Sequence, residues 1–295
     1  MKRQLLAFTL VALAAGGAFA QANDTLAKAK ASGKVVMGVR ESSAPLSYTL
    51  GGGKYVGYHV ELCQQILKKL APAATIEYTP VTSANRIPLV QNGTVDIECG
   101  STTNNATRQK DVSFGDTTFV TEVRTAVKAD SPIKSVAQLA GKNVATTTGT
   151  TSVALLRRNE RAKDIKFNEV YGKDHADSFL LLESGRADAF VMDDNILAGL
   201  IASSKNPKNY AIVGEPLSVE PIAVMFRKDD PAMKKGVDDT IKAMMADGSL
   251  EKLYAKWFMA PIPPKDTSVN LPMSETLKGL FKSPNDKPAE DYAKK

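Results

Sequence analysis

Only two cysteines, two histidines and one tryptophan occur in 295 residues. So few thiols and imidazoles leave no material for a disulfide scaffold or a Cys-rich metal site, and no cofactor or metal is expected. Both cysteines sit on apolar faces: Cys63 on the stripe Leu62, Ile66 and Leu70 of an expected helix, Cys99 on a strand face with Val95 and Ile97. Layers packed roughly 10 Å apart, less a helix radius of about 2.3 Å, set their Cα atoms near or beyond the ~7 Å bridging limit. Two buried thiols are therefore the expected state, and a bridge is the alternative in an oxidising compartment. A strong charge of one sign is also missing: 38 Lys and Arg face 32 Asp and Glu, a net +6 without basic blocks or interleaved aromatics. That argues against nucleic acid as a partner. The small positive excess suits an anionic small molecule.

Past residue 20 no stretch approaches the ~18 apolar residues of a membrane-spanning helix. At the N-terminus Met1-Lys2-Arg3 precedes an apolar run from Leu5 to Ala20, which ends in the small-residue pattern Ala18-Phe19-Ala20. This reads as a secretory signal peptide over residues 1–20, cut before Gln21, with no cysteine at the cut to carry a lipid. The mature chain is expected to be soluble and exported. Without Lys2 and Arg3 the formal charge falls from +6 to +4. The remaining length exceeds one typical core and is consistent with two lobes.

Short apolar runs alternate with longer amphipathic ones: strands over residues 34–40, 75–82 and 95–99, helices over 58–70 and 84–91. Such alternation predicts a parallel sheet flanked by helices. LVQNGTVDI at 89–97 and LLESGRADA at 181–189 share one frame: two apolar residues, two polar, Gly, any residue, apolar, Asp, apolar. Gly93 and Gly185 sit where a helix would end in the left-handed conformation. The echo implies two lobes of like construction. Residues 124–128 and 222–227 read as hinge strands between them. Lobe 1 then takes residues 21–128, lobe 2 residues 129–219, and lobe 1 resumes over 220–295, with helices at 230–247 and 250–258. The proline- and charge-rich tail beyond Pro261 reads as a surface wrap rather than a working part.

In open α/β sheets, ligands bind outside the carboxyl ends of strands. Four expected strand ends carry the most polar clusters: Arg40-Glu41-Ser42-Ser43, Gly100-Ser101-Thr102-Thr103, Thr147-Thr148-Gly149-Thr150-Thr151-Ser152, and Asp193-Asp194. Two clusters precede expected helices: TTTGTTS (146–152), and Asn104-Asn105 ahead of Ala106. Free amides and the helix dipole favour an anion at such places. Singly, each hydroxyl is better read as an ordinary cap. Repeated at matching strand ends, they read as a site in which hydroxyls, amides and Arg108 hold a carboxylate.

The segments GVRESSAPLSY (38–48), VTSANRIPLVQNGTVDIECGSTTNNATRQK (81–110), TTTGTTS (146–152), GKDHADSFLLLESGRA (172–187), FVMDD (190–194), FRKDDP (226–231) and PIPPK (261–265) carry a resemblance. In order and spacing the chain resembles the periplasmic glutamate/aspartate-binding proteins that feed ABC importers, a branch of the polar amino-acid-binding proteins. The resemblance spans nearly the whole mature chain. It implies an α/β, two-lobe periplasmic binding protein type II fold with two hinge strands, no enzymatic activity, and a dicarboxylic amino acid in the cleft. It also implies periplasmic residence, a monomer, and an ABC permease of the inner membrane as partner. Ligand contacts map onto Arg40, Ser83, Arg86, Ser101, Thr103 and Arg108 of lobe 1, and onto Thr147, Thr150, His175 and Asp193 of lobe 2. By resemblance, Arg108 with Ser101, Thr103 and Thr150 clamps the α-carboxylate and Asp193 takes the α-ammonium. Arg40, Arg86, Ser83 and His175 read the side-chain carboxylate. Residues 51–53, Cys63 and residues 223–225 depart from the pattern. Three guanidiniums and one carboxylate complement two ligand carboxylates and one ammonium, and arginine's planar fork suits a carboxylate.

Plainer assignments compete. Arg86 fits a surface arginine at a helix start, although basic charge there opposes the dipole. His175 fits a satisfied structural group. One of Asp193 and Asp194 should cap the helix at 195–200, and Asp194 is the expected cap. An exported lyase on the same fold, such as a dehydratase of a cyclic amino acid, would need a general acid or base; only His175 and Glu41 offer themselves. A binder of glutamine or a basic amino acid is disfavoured, because a guanidinium buried without its partner is costly.

Overall fold

In the computed structural model, which describes residues 24–292, the alternation folds into two five-stranded sheets. The expected signal peptide, residues 1–20, lies outside the described residues. The first sheet joins β1 (Lys34–Val39), β5 (Thr75–Pro80), β6 (Ile97–Glu98), β7 (Val112–Phe114) and β13 (Met225–Arg227) in the order β5-β1-β6-β13-β7. The second joins β8 (Phe119–Lys128), β9 (Asn143–Thr147), β10 (Asn168–Gly172), β11 (Ala189–Asp193) and β12 (Tyr210–Ile222) in the order β10-β9-β11-β8-β12. A small antiparallel sheet of β2 (Ser42–Ser43), β3 (Ser47–Thr49) and β4 (Tyr55–Val56) lies between β1 and β5 in sequence. Strands this short carry no readable hydrophobic period, which is why the pattern did not announce them.

One strand is reversed in each large sheet. β13 runs antiparallel to β6 and β7, and β8 runs antiparallel to β11 and β12. β1 is parallel to β5 and β6, and β9 to β10 and β11. The sequence echo now has a structural meaning. Gly93 and Gly185, with φ +76° and +73°, follow α3 (Arg86–Gln91) and α5 (His175–Glu183) and deliver β6 and β11 to the middle position of their sheets.

The chain crosses between sheets after Phe114 and returns across Ala223 and Val224. β8 and β12 pair from Phe119↔Ile222 to Lys128↔Tyr210, with a register shift between Val213 and Ser218. These crossings are longer than the expected 124–128 and 222–227, because Phe119, Thr121, Val123 and Ile222 bury a face along the pair. The expected divisions after residues 128 and 219 fall at the far end of β8 and near the end of β12.

Helix α1 (Thr25–Ser32) is tied to the first lobe by Thr25 N, which donates to Asp230 at 2.8 Å. α2 (Tyr58–Leu70) buries Tyr58, Leu62, Cys63, Ile66 and Leu67 against the same core as Met233, Val237 and Ile241 of α7 (Pro231–Ala246). α8 (Ser249–Tyr254) ends in a π-helical turn, where the rings of Phe258, Tyr254 and Phe119 stack on one another, the Phe258 centroid 4.3 Å from Tyr254 and 4.7 Å from Phe119. That stack fixes the start of the first crossing strand to lobe 1.

Cys63 and Cys99 are bridged, with Cα atoms 6.3 Å apart, which corrects the expectation of two free thiols. Cys99 lies just past the end of β6. There the loop meets α2 closely, as His59 Nδ1 stands 2.6 Å from Gly100 O. The mean layer spacing therefore overstates this separation. Cross-linking residues 36 apart should contribute stability chiefly by restricting the unfolded chain. Cys63→Ser is expected to lower the unfolding free energy by about 2–4 kcal/mol in urea titrations, and a loss near zero would show that packing alone holds the loop.

Candidate ligand-binding site

Three arginines of lobe 1 reach the space between the sheets. Arg40 follows β1, Arg86 opens α3, and Arg108 opens a short 3-10 turn, Arg108–Lys110. They are 0, 2 and 8 % exposed respectively, and charges withdrawn that far from water need partners. Arg40 has four. Its Nη1 donates to Ser101 Oγ at 3.1 Å, and its Nη2 meets Ser83 Oγ at 3.0 Å, Asp174 Oδ1 at 2.6 Å and His175 Nε2 at 3.2 Å. Arg86 has one, the Ser101 carbonyl at 3.1 Å, and its Nε has none. Arg108 donates to the carbonyls of Thr103 at 2.9 Å and Gly149 at 3.3 Å. Among the described residues Arg40 is paired with a carboxylate, at Asp174, while Arg86 and Arg108 have no ion pair.

Lobe 2 answers with two acids. α5 starts on a capping box in which Asp174 and Asp177 exchange hydrogen bonds with each other's backbone. The same Asp174 carboxylate grips Arg40 and accepts from Ser42 Oγ at 2.7 Å. Burial pushes Asp174 up, but Arg40, His175 and the hydrogen bonds from Ser42 and Arg40 outweigh it, holding the carboxyl below its usual range. Asp193 ends β11 at 4 % exposure. Its pKa is driven well above the usual carboxylate range by burial, Glu220 and Asp194, against the pull of Arg86 and Arg108. Burial and the neighbouring arginines lower both Arg86 and Arg108, Arg86 strongly. Each of these three groups would gain from a counterion.

The ten expected residues come together between the two sheets. Arginine can only donate, so His175 Nε2 accepts from Arg40 and Nδ1 donates to Thr147 Oγ1 at 3.0 Å. Thr147 Oγ1 lies 2.8 Å from Ser178 Oγ. Burial, then Arg40, pushes His175 down to about 3, so its ring is neutral at pH 7. Ser83, Ser101, His175 and Thr147 therefore form a scaffold around Arg40. Thr150 occupies the N-cap of α4 (Thr151–Lys163) yet turns its hydroxyl back to Thr147 O at 2.8 Å. Thr103 donates to Glu220 at 2.6 Å and Thr102 to Glu98 at 2.7 Å. Asn105 accepts from the Arg108 amide at 2.8 Å. Buried hydroxyls take the nearest acceptor, and for Thr102, Thr103 and Thr150 those are protein acids and a carbonyl. No full helix follows Asn104-Asn105. Asp194, the expected cap, does accept the Asn195 amide at 2.7 Å, although Asp193 holds the N-cap position of α6 (Asp194–Ser203).

Sequence reasoning missed three acids. Asp174 stood in a recognised motif without a role. Glu98 and Glu220 are buried acids beside apolar residues of strands, and that exception is the signal that could have found them. Glu220 Oε2 accepts from Thr103 and from Thr151 Oγ1 at 2.8 Å, one hydroxyl from each lobe. The lobes also touch at Gly149, whose φ is +81°; a Cβ there would come within 2.7 Å of the Ala84 backbone, so only glycine suits it. No group of His, Cys, Asp or Glu among the described residues could hold a metal ion.

Two similar α/β lobes meeting over buried arginines define a hinged, ligand-capturing protein. The chain belongs to the bacterial extracellular solute-binding proteins, family 3, whose pattern matches residues 35–260. A glutamate/aspartate import solute-binding protein of Escherichia coli (strain K12) is 46% identical over 293 residues, covering 95% of this chain and 97% of that one. Among solved structures, a solute receptor for L-cysteine of Neisseria gonorrhoeae superposes with a TM-score of 0.74 at 25% identity, covering 85% of this chain and 100% of that one. An ancestral amino acid-binding protein, described as a precursor of cyclohexadienyl dehydratase, gives 0.69 at 29% identity, with 79% and 99% covered.

His59, behind the site, also accepts from Thr118 Oγ1 at 2.8 Å. Burial pushes it from 6.5 down to about 4, against the pull of the Gly100 carbonyl. As pH falls through this window, the unfolded chain takes up a proton that the folded one refuses, so stability is lost on acidification. His59→Gln is expected to flatten the pH dependence of the unfolding free energy there by up to about 1.4 kcal/mol per pH unit. Urea titrations at several pH values check this; an unchanged slope would mean that His59 titrates normally.

Proposed function

We infer that the protein captures L-glutamate or L-aspartate between its lobes and delivers it to an ABC importer. The carrying observation is a charge remainder. Once Arg40 and Asp174 neutralise each other, and with the buried Glu98 and Glu220 accepting from the hydroxyls of Thr102, Thr103 and Thr151, the groups left without a partner of opposite charge or a hydroxyl donor are two guanidiniums, Arg86 and Arg108, and one buried acid without a side-chain hydrogen bond, Asp193. An acidic amino acid offers the complement: two carboxylates and one ammonium. In this reading Arg108 takes the α-carboxylate, Arg86 the side-chain carboxylate and Asp193 the ammonium. Arg40, held by Ser83, Ser101 and His175, becomes a strut that draws Asp174 of lobe 2 onto lobe 1.

A ligand bound from both sides favours the closed lobes, because only interactions that differ between open and closed states shift that equilibrium. The printed name and 46% identity of the Escherichia coli relative support the same ligand class. Family membership supports work outside the cytoplasm; residence in the periplasm as a monomer, with lobes dividing near residues 128 and 219 and an inner-membrane permease as partner, completes the reading.

Two alternatives fare worse on the geometry. Glutamine or a basic amino acid brings one carboxylate and leaves a buried guanidinium unmatched. For a dehydratase, both ring nitrogens of His175 are committed to Arg40 and Thr147, and Glu41 is exposed. Neither is poised as a general base.

Arg86→Ala, Arg108→Ala and Asp193→Ala each strip a buried ligand charge of its partner and should weaken binding by more than about 100-fold in calorimetry. Thr107→Ala, on an exposed position, should stay within about twofold. Equal affinities for all four variants would refute the site. Thermal stabilisation in a screen of the common amino acids should be confined mainly to the two acidic ones and grow with their concentration.

A further inference from the structure

We propose that the C-terminal segment 284–292 is a strap that holds the Arg108 turn in its ligand-gripping position, so that this end of the chain sets affinity. The inference rests on Arg108 as a ligand group. It also corrects the expectation that the tail is a mere surface wrap. The family match ends at residue 260, and what lies beyond is built onto the site.

α9 (Glu275–Lys282) anchors the tail by burying Leu277 and Leu280 in the core of lobe 1. The chain then runs without regular structure to α10 (Ala289–Tyr292), which packs against β12. On the way it takes hold of the loop that carries Arg108. Asn104 is fully buried; its Nδ2 donates to Asp286 O at 2.8 Å and its carbonyl accepts from Ala289 N at 2.9 Å. Gln109 Nε2 reaches the same Asp286 carbonyl at 3.2 Å and Asn104 Oδ1 at 2.8 Å. Ala106 N donates to Glu290 Oε2 at 2.9 Å, and Thr117 N to Asn285 O at 2.9 Å. Lys234 pairs with Asp286 at 2.8 Å, fastening the strap to α7.

The strap thus grips residues on both sides of Arg108. Outside the strap, the loop is held at its two ends, by the Asn104 amide on Pro221 O at 2.9 Å and by Lys228 Nζ on the Gln109 and Lys110 carbonyls at 3.1 and 2.7 Å. Its only helical element is three residues long, and Ala106, Thr107 and Lys110 are exposed. A segment with few buried apolar contacts opens easily unless hydrogen bonds from elsewhere restrain it. Here 284–292 adds the bonds at Asn104, Ala106 and Gln109, nearest Arg108, and Arg108 is placed by them without the strap touching ligand.

The test compares the full chain with a chain ending at Ser283, using L-glutamate calorimetry and amide hydrogen exchange. Loss of the strap should weaken binding at least about tenfold and speed exchange of amides 104–110 by a similar factor, with only a small fall in the unfolding midpoint of the ligand-free protein. In the full chain, Glu290→Ala should weaken binding about threefold. Glu290→Gln keeps an acceptor for Ala106 N and should bind within about twofold of the parent; this pair decides the matter if the shortened chain fails to fold. Unchanged binding and exchange would overturn the proposal, as would weaker binding without faster exchange in the loop. If the full chain itself ignores glutamate, the ligand assignment of Arg108 fails, and loop exchange alone then sustains or overturns the strap.

Discussion

The organisation of this protein depends on keeping guanidinium groups ionised away from water. Arg40, Arg86 and Arg108 are buried side by side, and burial together with neighbouring guanidiniums lowers the proton affinity of Arg86 and Arg108. Such a cluster persists only where acids and carbonyls are brought to it from several directions. Ser101 and Thr103, two residues apart, hold Arg86 and Arg108 through their carbonyls. Asp174 arrives from the opposite lobe. Contact between the lobes and charge compensation therefore coincide, since that contact is what gives Arg40 its counterion.

The fold serves that arrangement through a repeated device. A helix ending on a left-handed glycine returns the chain to the centre of the sheet, and the strand that follows carries polar residues at its carboxyl end. Used at Gly93 it places Ser101 and Thr103; used at Gly185 it places Asp193. The crossing strands β8 and β12 run between the two lobes, and Glu220, near the end of β12, accepts a hydroxyl from each lobe. Behind the lobe 1 copy, the disulfide and His59 fix the Gly100 loop to α2.

Much of this was legible in the chain itself, for reasons tied to particular residues. Helix α2 begins and ends where its apolar stripe does, and the four polar strand ends lie where α/β geometry puts ligands. Less legible were the short strands, the disulfide and the partners of the site hydroxyls. Thr150 bonds its own loop and Thr103 bonds Glu220. Neither choice follows from residue type, because a hydroxyl takes whichever acceptor the packing brings within reach.

Local chemistry, then, determined by itself the alternation of elements, the positions of the strand ends, the presence of three site arginines and the glycines that end their helices. These follow from periodicity and backbone preference over a few neighbouring residues. Tertiary structure alone decided which arginine was neutralised within the protein and which two have no ion pair among the described residues. It also decided that the tail reaches the loop of Arg108. The bonds concerned join Arg40 to Asp174 across 134 positions and Ala106 to Glu290 across 184. Coulomb attraction and hydrogen bonding depend on separation in space, and space is settled only when the lobes pack.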